Sequence, residues 1–189
     1  MGEGANLGEA KAQARREVLA RRDAASGTVR AAAQVRLWAH LRDLRGATIA
    51  GYLPIGSELD PRRTMTVLSR DNTICVPVVT ARGAPLRFRH WWPGCETAPG
   101  AFGVEEPVEG GWRVPDVLIV PLVAFDEGLG RLGYGGGFYD RTLAGLTRAR
   151  TVGLACEAQR LVQIPREATD VALDAIVTEH RVIARTEGT

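Results

Sequence analysis

No stretch limits the possible folds as strongly as the apolar run Val117–Phe125 followed closely by Arg131-Leu-Gly-Tyr-Gly-Gly-Gly-Phe-Tyr-Asp-Arg141. A continuous apolar run bounded by turn residues reads as a strand buried on both faces. Such strands belong to parallel sheets covered by helices. The segment after the glycines is compatible with a helix, with Phe138, Tyr139, Leu143 and Leu146 as its apolar residues. The whole therefore reads as strand, glycine-rich connection and helix. Gly133, Gly135, Gly136 and Gly137 carry no Cβ to hold a ligand away, and they permit the positive φ angles that turn successive N–H groups toward one point. The last of them falls at a helix N-terminus, where backbone donors and the macrodipole favour an anion. Arg131 and Arg141 bracket the loop with positive charge, and Asp140 brings a carboxylate to the first helical turn. These parts describe a cradle for phosphates and their metal.

A plainer reading competes with this one. Glycine-rich strand-to-helix connections are often only tight turns, and an Asp in a first helical turn is often only a dipole partner. Three adjacent glycines each add conformational entropy to the unfolded chain, which a purely structural turn has no need of. With the flanking arginines, they favour the cradle.

The remaining sequence supplies more strands and helices in alternation. Helical spacing predicts helices over 8–23 and 28–44, and Pro61 opens a third over 61–70. Strands are expected at Thr48–Leu53, Thr73–Val79, Leu86–Trp91, Val117–Phe125, Thr151–Cys156, Ala175–Thr178 and Arg181–Ala184, with a helix over Gly137–Leu146. Residues 93–115 show no period and read as an irregular excursion. The expected fold is α/β, a mostly parallel central sheet with helices on both faces in a Rossmann-like three-layer arrangement. In such sheets a ligand lies beyond the carboxyl ends of the strands. At 189 residues the chain suits one domain over 1–189.

Composition excludes several classes. No apolar run approaches the roughly 20 residues needed to span a bilayer, and the polar segment Met1–Arg22 lacks the core of a secretory signal. Cys75, Cys95 and Cys156 are dispersed without metal-ligand spacing, which suits reduced thiols and a cytoplasmic protein. A net charge of +2 argues for neither nucleic acid nor membrane binding. His40, His90 and His180 have no partners at recognisable spacing. In the pair Trp91-Trp92 the residues face opposite sides of a strand, so one belongs to the core. The chain has 23 arginines and a single lysine, Lys11. A lone ammonium marks a place where a compact point charge is needed, or chance survival on the surface.

The stretch Val120–Leu143 closely resembles the signature of the 5-formyltetrahydrofolate cyclo-ligases, also called 5,10-methenyltetrahydrofolate synthetases. The likeness extends over nearly the whole chain. Lys11–Arg15 resembles the family's Lys-x-x-x-Arg on its first helix, and Tyr52–Glu58 the strand end and glutamate of its folate site. Phe102–Pro107 resembles a mid-chain segment, and Val152–Gln159 with Asp170 and Asp174 the C-terminal part.

The resemblance implies an ATP- and Mg²⁺-dependent conversion of 5-formyltetrahydrofolate to 5,10-methenyltetrahydrofolate. It implies catalytic roles for Lys11 and Arg131, and ATP binding by Lys11, Arg15, Arg131, Leu132, Gly133, Tyr134, Gly135, Gly136, Gly137, Phe138 and Tyr139. Substrate binding falls to Leu53, Glu58, Phe102, Tyr134, Gly135, Gly136, Gly137 and Phe138, and Mg²⁺ to Asp140 and Asp170. Taken alone, Asp140 reads equally as a helix cap, Glu58 reads as a helix N-terminal acid, and Asp170 as a polar loop residue. Two departures from the pattern concern detail: Phe138 replaces a tyrosine of many relatives, and Gly136 a lysine of some.

The expected partner is a small-molecule folate, with Arg62, Arg63, Arg87 and Arg89 able to meet a polyglutamate tail, and the expected state is a monomer. Two other classes compete: a non-catalytic nucleotide- or folate-binding module, and a phosphosugar isomerase or acyl-CoA transferase using Glu58 or Glu105. The last leaves the glycine–arginine loop unexplained.

Overall fold

The computed structural model describes residues 3–167 and 169–185, the side chains of 3–6 and of Phe102 excepted. In chain order the helices are α1 (Glu3–Asp23), α2 (Gly27–Leu41), α3 (Arg62–Leu68) and α4 (Phe138–Gly145). The strands are β1 (Thr48–Ala50), β2 (Thr73–Val78), β3 (Arg87–His90), β4 (Thr97–Pro99), β5 (Glu105–Pro107), β6 (Trp112–Arg113), β7 (Val117–Pro121), β8 (Ala124–Phe125), β9 (Arg131–Leu132), β10 (Arg150–Leu154), β11 (Ala175–Val177) and β12 (Val182–Ala184).

Eight of these strands form one sheet in the order β12-β11-β10-β7-β1-β2-β3-β6. The inner run from β11 to β2 is parallel, while β12, β3 and β6 pair antiparallel at its margins. The expected α/β class and mostly parallel sheet are therefore present. Side chains alternate between the two faces as the pleat requires. Ile49, Ile74, Val76 and Ile119 pack with Leu37 and Leu41 of α2 and Met65 of α3. Ala50, Cys75, Leu118 and Val120 pack on the other face with Leu143 of α4 and Phe125. Helix α1 lies apart from both cores, its Val18 buried against Val123, Ala124 and Leu132. Burial also pushes the Cys75 thiol up to about 12, so this cysteine is unreactive core filling. Just past the end of β3, Trp91 is core and Trp92 faces out. Among the described residues, no helix is long and apolar enough to cross a membrane.

Two strand expectations need correction. The apolar run Val117–Phe125 is not one strand: it leaves the sheet after Pro121, and its last two residues pair with β9 in a separate ribbon. The Gln159 amide donates to the carbonyls of Leu122 (2.9 Å) and Val123 (3.0 Å), satisfying the backbone where the ladder breaks. Residues 93–115 are not structureless either. They hold the β4–β5 ribbon and β6, strands too short to show a period.

The topology places the ligand site. From β1 the chain moves to β2 on one side, and from β7 it moves to β10 and β11 on the other, so β1 and β7 flank the switch point. Ala50 pairs with Leu118 there; β1 then leaves the sheet, while β7 continues beside β10 to Pro121. Strand β1 stops earlier than its apolar pattern suggests. Gly51 still donates to Cys75 O (2.9 Å), but Tyr52 turns inward and its hydroxyl donates to Leu59 O (2.7 Å).

Candidate active site

A cavity of about 1060 Å³ opens at the switch point. It is walled by Lys11 and Arg15 of α1, by Tyr52–Glu58 after β1, by the ends of β2 and β7, by the glycine loop and by the segment around Asp170. Every described residue to which the resemblance gives a catalytic, ATP, substrate or metal role lines it, whereas Asp174 accepts from Thr151 away from it. Phe102 is the exception, because its side chain lies outside the described residues. None of Arg62, Arg63, Arg87 and Arg89 lines the cavity. Arg62 pairs with Asp60, while Arg87 and Arg89 lie over the Trp112 ring. Glu105 is exposed and also outside the lining.

The glycine loop has the geometry expected of an anion cradle. Gly135 (φ 98°) and Gly137 (φ 64°) occupy the left-handed region, and Gly137 is the residue from which α4 starts. Two loop carbonyls are held by cations: Arg15 Nε donates to Gly133 O (2.8 Å) and Arg141 Nη2 to Gly136 O (2.7 Å). The N–H groups of Gly135, Gly136 and Gly137 donate to no other described residue. Asp140 lies in the first turn of α4 without capping it. Its Oδ1 accepts instead from Arg131 Nη1 (2.9 Å) and Nη2 (2.8 Å). Arg131 is itself presented by β9, whose hairpin is closed by buried Asp126 accepting from Gly130 N (2.9 Å) and Ile164 N (2.9 Å).

Lys11 is buried, and its ammonium pairs with Asp170 (2.8 Å) and Glu167 (3.2 Å). Burial alone lowers the ammonium, but these two acids outweigh it and hold Lys11 above the usual lysine range. Burial likewise opposes the Asp170 charge, and Lys11 with the Glu167 N–H (2.8 Å) overcomes it, leaving this carboxyl below its ordinary range. Glu167 escaped the sequence reading, although its place three residues before Asp170 suits a carboxylate that folds back on the intervening turn.

The ion pair has a pH-dependent stability signature. A depressed folded value stabilises above the unfolded aspartate pKa of about 3.9, and that contribution is lost as the pH falls through the lower folded value. Asp170→Asn is expected to lower unfolding free energy by about 1–2 kcal/mol near neutral pH. Denaturant unfolding of both proteins checks this: the difference should shrink toward zero on acidification below the ordinary aspartate range.

The donor set suits a hard cation. Asp140 keeps Oδ2 and Asp170 keeps Oδ1 unbonded among the described residues, and both acids face the same cavity. Among those residues no cluster of three or more His, Cys, Asp or Glu side chains could enclose an ion. Mg²⁺ is commonly held by one or two carboxylates with phosphate oxygens completing the shell. The residues present fit that arrangement.

Elsewhere in the lining Glu58 is buried, and its Oε2 accepts from Ile55 N (2.8 Å). It caps no helix, since α3 begins from Pro61. Burial raises its carboxyl above the usual range, while the Ile55 N–H, Arg22 and the Tyr134 hydroxyl oppose the rise. Leu53, Ile55, Tyr134, Phe138 and Tyr139 give the lining an apolar, aromatic part. Burial also drives the phenols of Tyr52 and Tyr139 upward, so both stay neutral. Arg22 was missed from sequence. The signal was available: Lys11, Arg15 and Arg22 follow at i, i+4 and i+11, one stripe of a helix.

A mostly parallel α/β sheet whose switch point carries free loop amides, paired cations and two half-engaged carboxylates defines a phosphate-handling α/β protein. Comparison with known proteins narrows the class. The chain belongs to the 5-formyltetrahydrofolate cyclo-ligase family, whose model matches residues 7–179. It is 38% identical over 144 residues to the 5-formyltetrahydrofolate cyclo-ligase of Escherichia coli, covering 71% of this chain and 79% of that one. To the enzyme of the same name from Mycolicibacterium smegmatis it is 32% identical over 187 residues, covering 92% and 95%. The NMR structure of Aquifex aeolicus 5,10-methenyltetrahydrofolate synthetase superposes with a TM-score of 0.80 at 31% identity, covering 95% of this chain and 94% of that one.

Proposed function

We propose that this chain catalyses the ATP- and Mg²⁺-dependent cyclisation of 5-formyltetrahydrofolate to 5,10-methenyltetrahydrofolate, releasing ADP and phosphate. One observation carries the reading. A single cavity joins a phosphate cradle to an apolar, aromatic end that holds a buried carboxylate. We take residues 1–189 as one domain, acting as a cytoplasmic monomer on a folate.

The chemistry accounts for the inventory. A formamide carbon is a weak electrophile, and its oxygen is a poor leaving group. The formyl oxygen attacks the γ-phosphorus, the bond to the β-phosphate oxygen breaks, and ADP departs. N10 of the same molecule then bonds to the activated carbon. The carbon–oxygen bond breaks, phosphate leaves with its electron pair, and N10 gives up its proton. Phosphoryl transfer asks mainly for positioning and charge neutralisation. The loop amides from Gly133 to Gly137 hold the phosphates, and Lys11, Arg15 and Arg131 offset charge as it moves. Asp140 and Asp170 hold Mg²⁺, which when bound neutralises part of the triphosphate charge. Glu58 accepts hydrogen bonds from the amino and ring N–H groups of the pterin. Leu53, Tyr134 and Phe138 wall its ring, and we assign Phe102 to the same wall.

Product formation provides the test. With ATP, Mg²⁺ and 5-formyltetrahydrofolate, the purified protein should generate the near-ultraviolet band of 5,10-methenyltetrahydrofolate, which the substrate lacks. A protein that binds both ligands without producing that band is a binding module, and the enzyme reading is then wrong.

A further inference from the structure

Between β8 and β9 the chain runs Asp126-Glu-Gly-Leu-Gly130, and its geometry departs from the usual choice of residues. Three-residue hairpin connections ordinarily place glycine where φ is left-handed. Here glycines stand at 128 and 130, yet Leu129 adopts φ 62°, the one non-glycine residue with positive φ among the described residues. Leu129 is buried, and a left-handed conformation disfavours any residue that carries a Cβ. Such a residue persists only where its surroundings fix it.

Asp126 does the fixing. Its N–H donates to Gly130 O (3.1 Å), and its carbonyl accepts from Leu129 N (3.0 Å). Its carboxylate is buried with both oxygens engaged. Oδ1 accepts from Gly130 N (2.9 Å) and Arg166 Nη2 (2.6 Å), and Oδ2 accepts from Ile164 N (2.9 Å). Arg166 also donates to Gly128 O (3.2 Å), and a Cβ at 128 or 130 would strike its guanidinium. The two glycines make room for this arginine.

These bonds join two parts of the site. Ile164 and Arg166 lead into the segment that carries Glu167 and Asp170, and Leu173 N, beyond Asp170, donates to Leu129 O (3.0 Å). That segment is therefore tied to the turn on both sides of Asp170. Across the turn, Arg131 follows Gly130 directly and holds Asp140 Oδ1. Lys11 and Glu167 N hold Asp170 Oδ2. The 126–130 turn is thus the junction between the two cavity carboxylates that each keep one oxygen unbonded among the described residues.

We infer that Asp126 is a positioning residue: by tying the β8–β9 turn to the Asp170 segment it fixes the spacing of Asp140 and Asp170, and so the hold of the site on a divalent cation carried by a nucleotide. This role rests on the proposed binding of MgATP and goes beyond it in naming what keeps the two acids in register. Asp126 is not part of the cavity lining, so it acts from behind the groups that meet the ligand. Replacing residues that orient metal-holding groups in this way typically changes metal affinity by about 10–100-fold.

Calorimetry of ATP binding, in EDTA and with excess Mg²⁺, tests the role in Asp126→Asn and Arg166→Met. Wild-type protein should bind MgATP more tightly than ATP in EDTA. Asp126→Asn keeps the shape of the side chain but turns one acceptor oxygen into a donor facing an N–H. It should lose about tenfold of the Mg²⁺-dependent gain, while ATP in EDTA binds within about twofold of wild type. Arg166→Met removes one of three donors and should lose about threefold of the gain. Hydrogen exchange of the ligand-free protein gives a second readout. In Asp126→Asn the Leu173 amide should exchange about tenfold faster, although its own acceptor, Leu129 O, is unaltered. Equal loss of affinity with and without Mg²⁺, an undiminished gain from Mg²⁺, or unchanged exchange at Leu173 would overturn the role. So would a wild-type protein whose ATP affinity ignores Mg²⁺. Should Asp126→Asn fail to fold, Arg166→Met decides by the same two measurements. If wild-type protein gains from Mg²⁺ yet forms no 5,10-methenyltetrahydrofolate, the cyclo-ligase reading fails, and these measurements still judge Asp126.

Discussion

Replacing Lys11 by alanine is expected to lower kcat/KM for the ATP-dependent reaction by about 10³-fold, the scale seen when a preorganised electrostatic group is removed from a closed site. The ammonium is buried at the cavity wall within reach of Asp170 and Glu167. Removing it does two things at once. On the proposed reading the transferring phosphoryl group loses its point charge, and Glu167 and Asp170 lose the ammonium that pairs with them. Lys11→Arg should recover less than a tenth of the activity, because a planar fork needs more room and spreads its charge. The lone lysine also permits a chemical check. An amine-acylating reagent can modify only Lys11 and the chain's α-amino group. Bound MgATP should protect Lys11, and mass spectrometry of the α1 peptide reads that directly. Turnover within fivefold of wild type in Lys11→Ala would remove this residue from the chemistry.

Double substitution Gly135→Ala/Gly137→Ala should weaken MgATP binding at least 100-fold by calorimetry. Both glycines have left-handed φ angles of 98° and 64°, and placing an L-residue there costs about 1–2 kcal/mol each. A Cβ at position 137 would also lie 2.5 Å from Arg141 Nη1, and one at 135 would lie 3.4 Å from the Arg15 guanidinium. Those two arginines bond the Gly133 and Gly136 carbonyls, so pushing them aside releases the orientation of the loop amides. Gly145→Ala provides the contrast. It ends the same helix, its Cβ would meet nothing within 4 Å, and affinity should be unchanged. Full affinity in the double variant would mean that side chains alone hold the phosphates.

Much of the site was legible because it is local. Gly135, Gly137 and Asp140 lie within one turn of chain, and backbone conformation there follows from glycine chemistry and helix starts. Lys11 and Arg15 share a helix face by spacing alone. The partners were not legible. Asp170 meets Lys11 only because the segment after β10 returns to α1, and no local pattern encodes a pairing across 159 residues. The early end of β1 and the break after Pro121 escaped for a related reason. Tyr52 and Leu122–Val123 are as apolar as the strand residues before them, and only the hydrogen bonds to Leu59 and from Gln159 show where the ladder stops.

From its residues alone the chain determined an α/β sheet, a glycine-rich strand-to-helix connection and the place of its single lysine, because periodicity, glycine freedom and charge type are properties of contiguous sequence. Tertiary structure decided that β1 and β7 flank the opening, that each acid is half engaged by a cation, and that Arg22 reaches the Tyr134 hydroxyl. Those facts depend on strand order and helix docking, which bring together groups whose separation in sequence carries no trace of their contact.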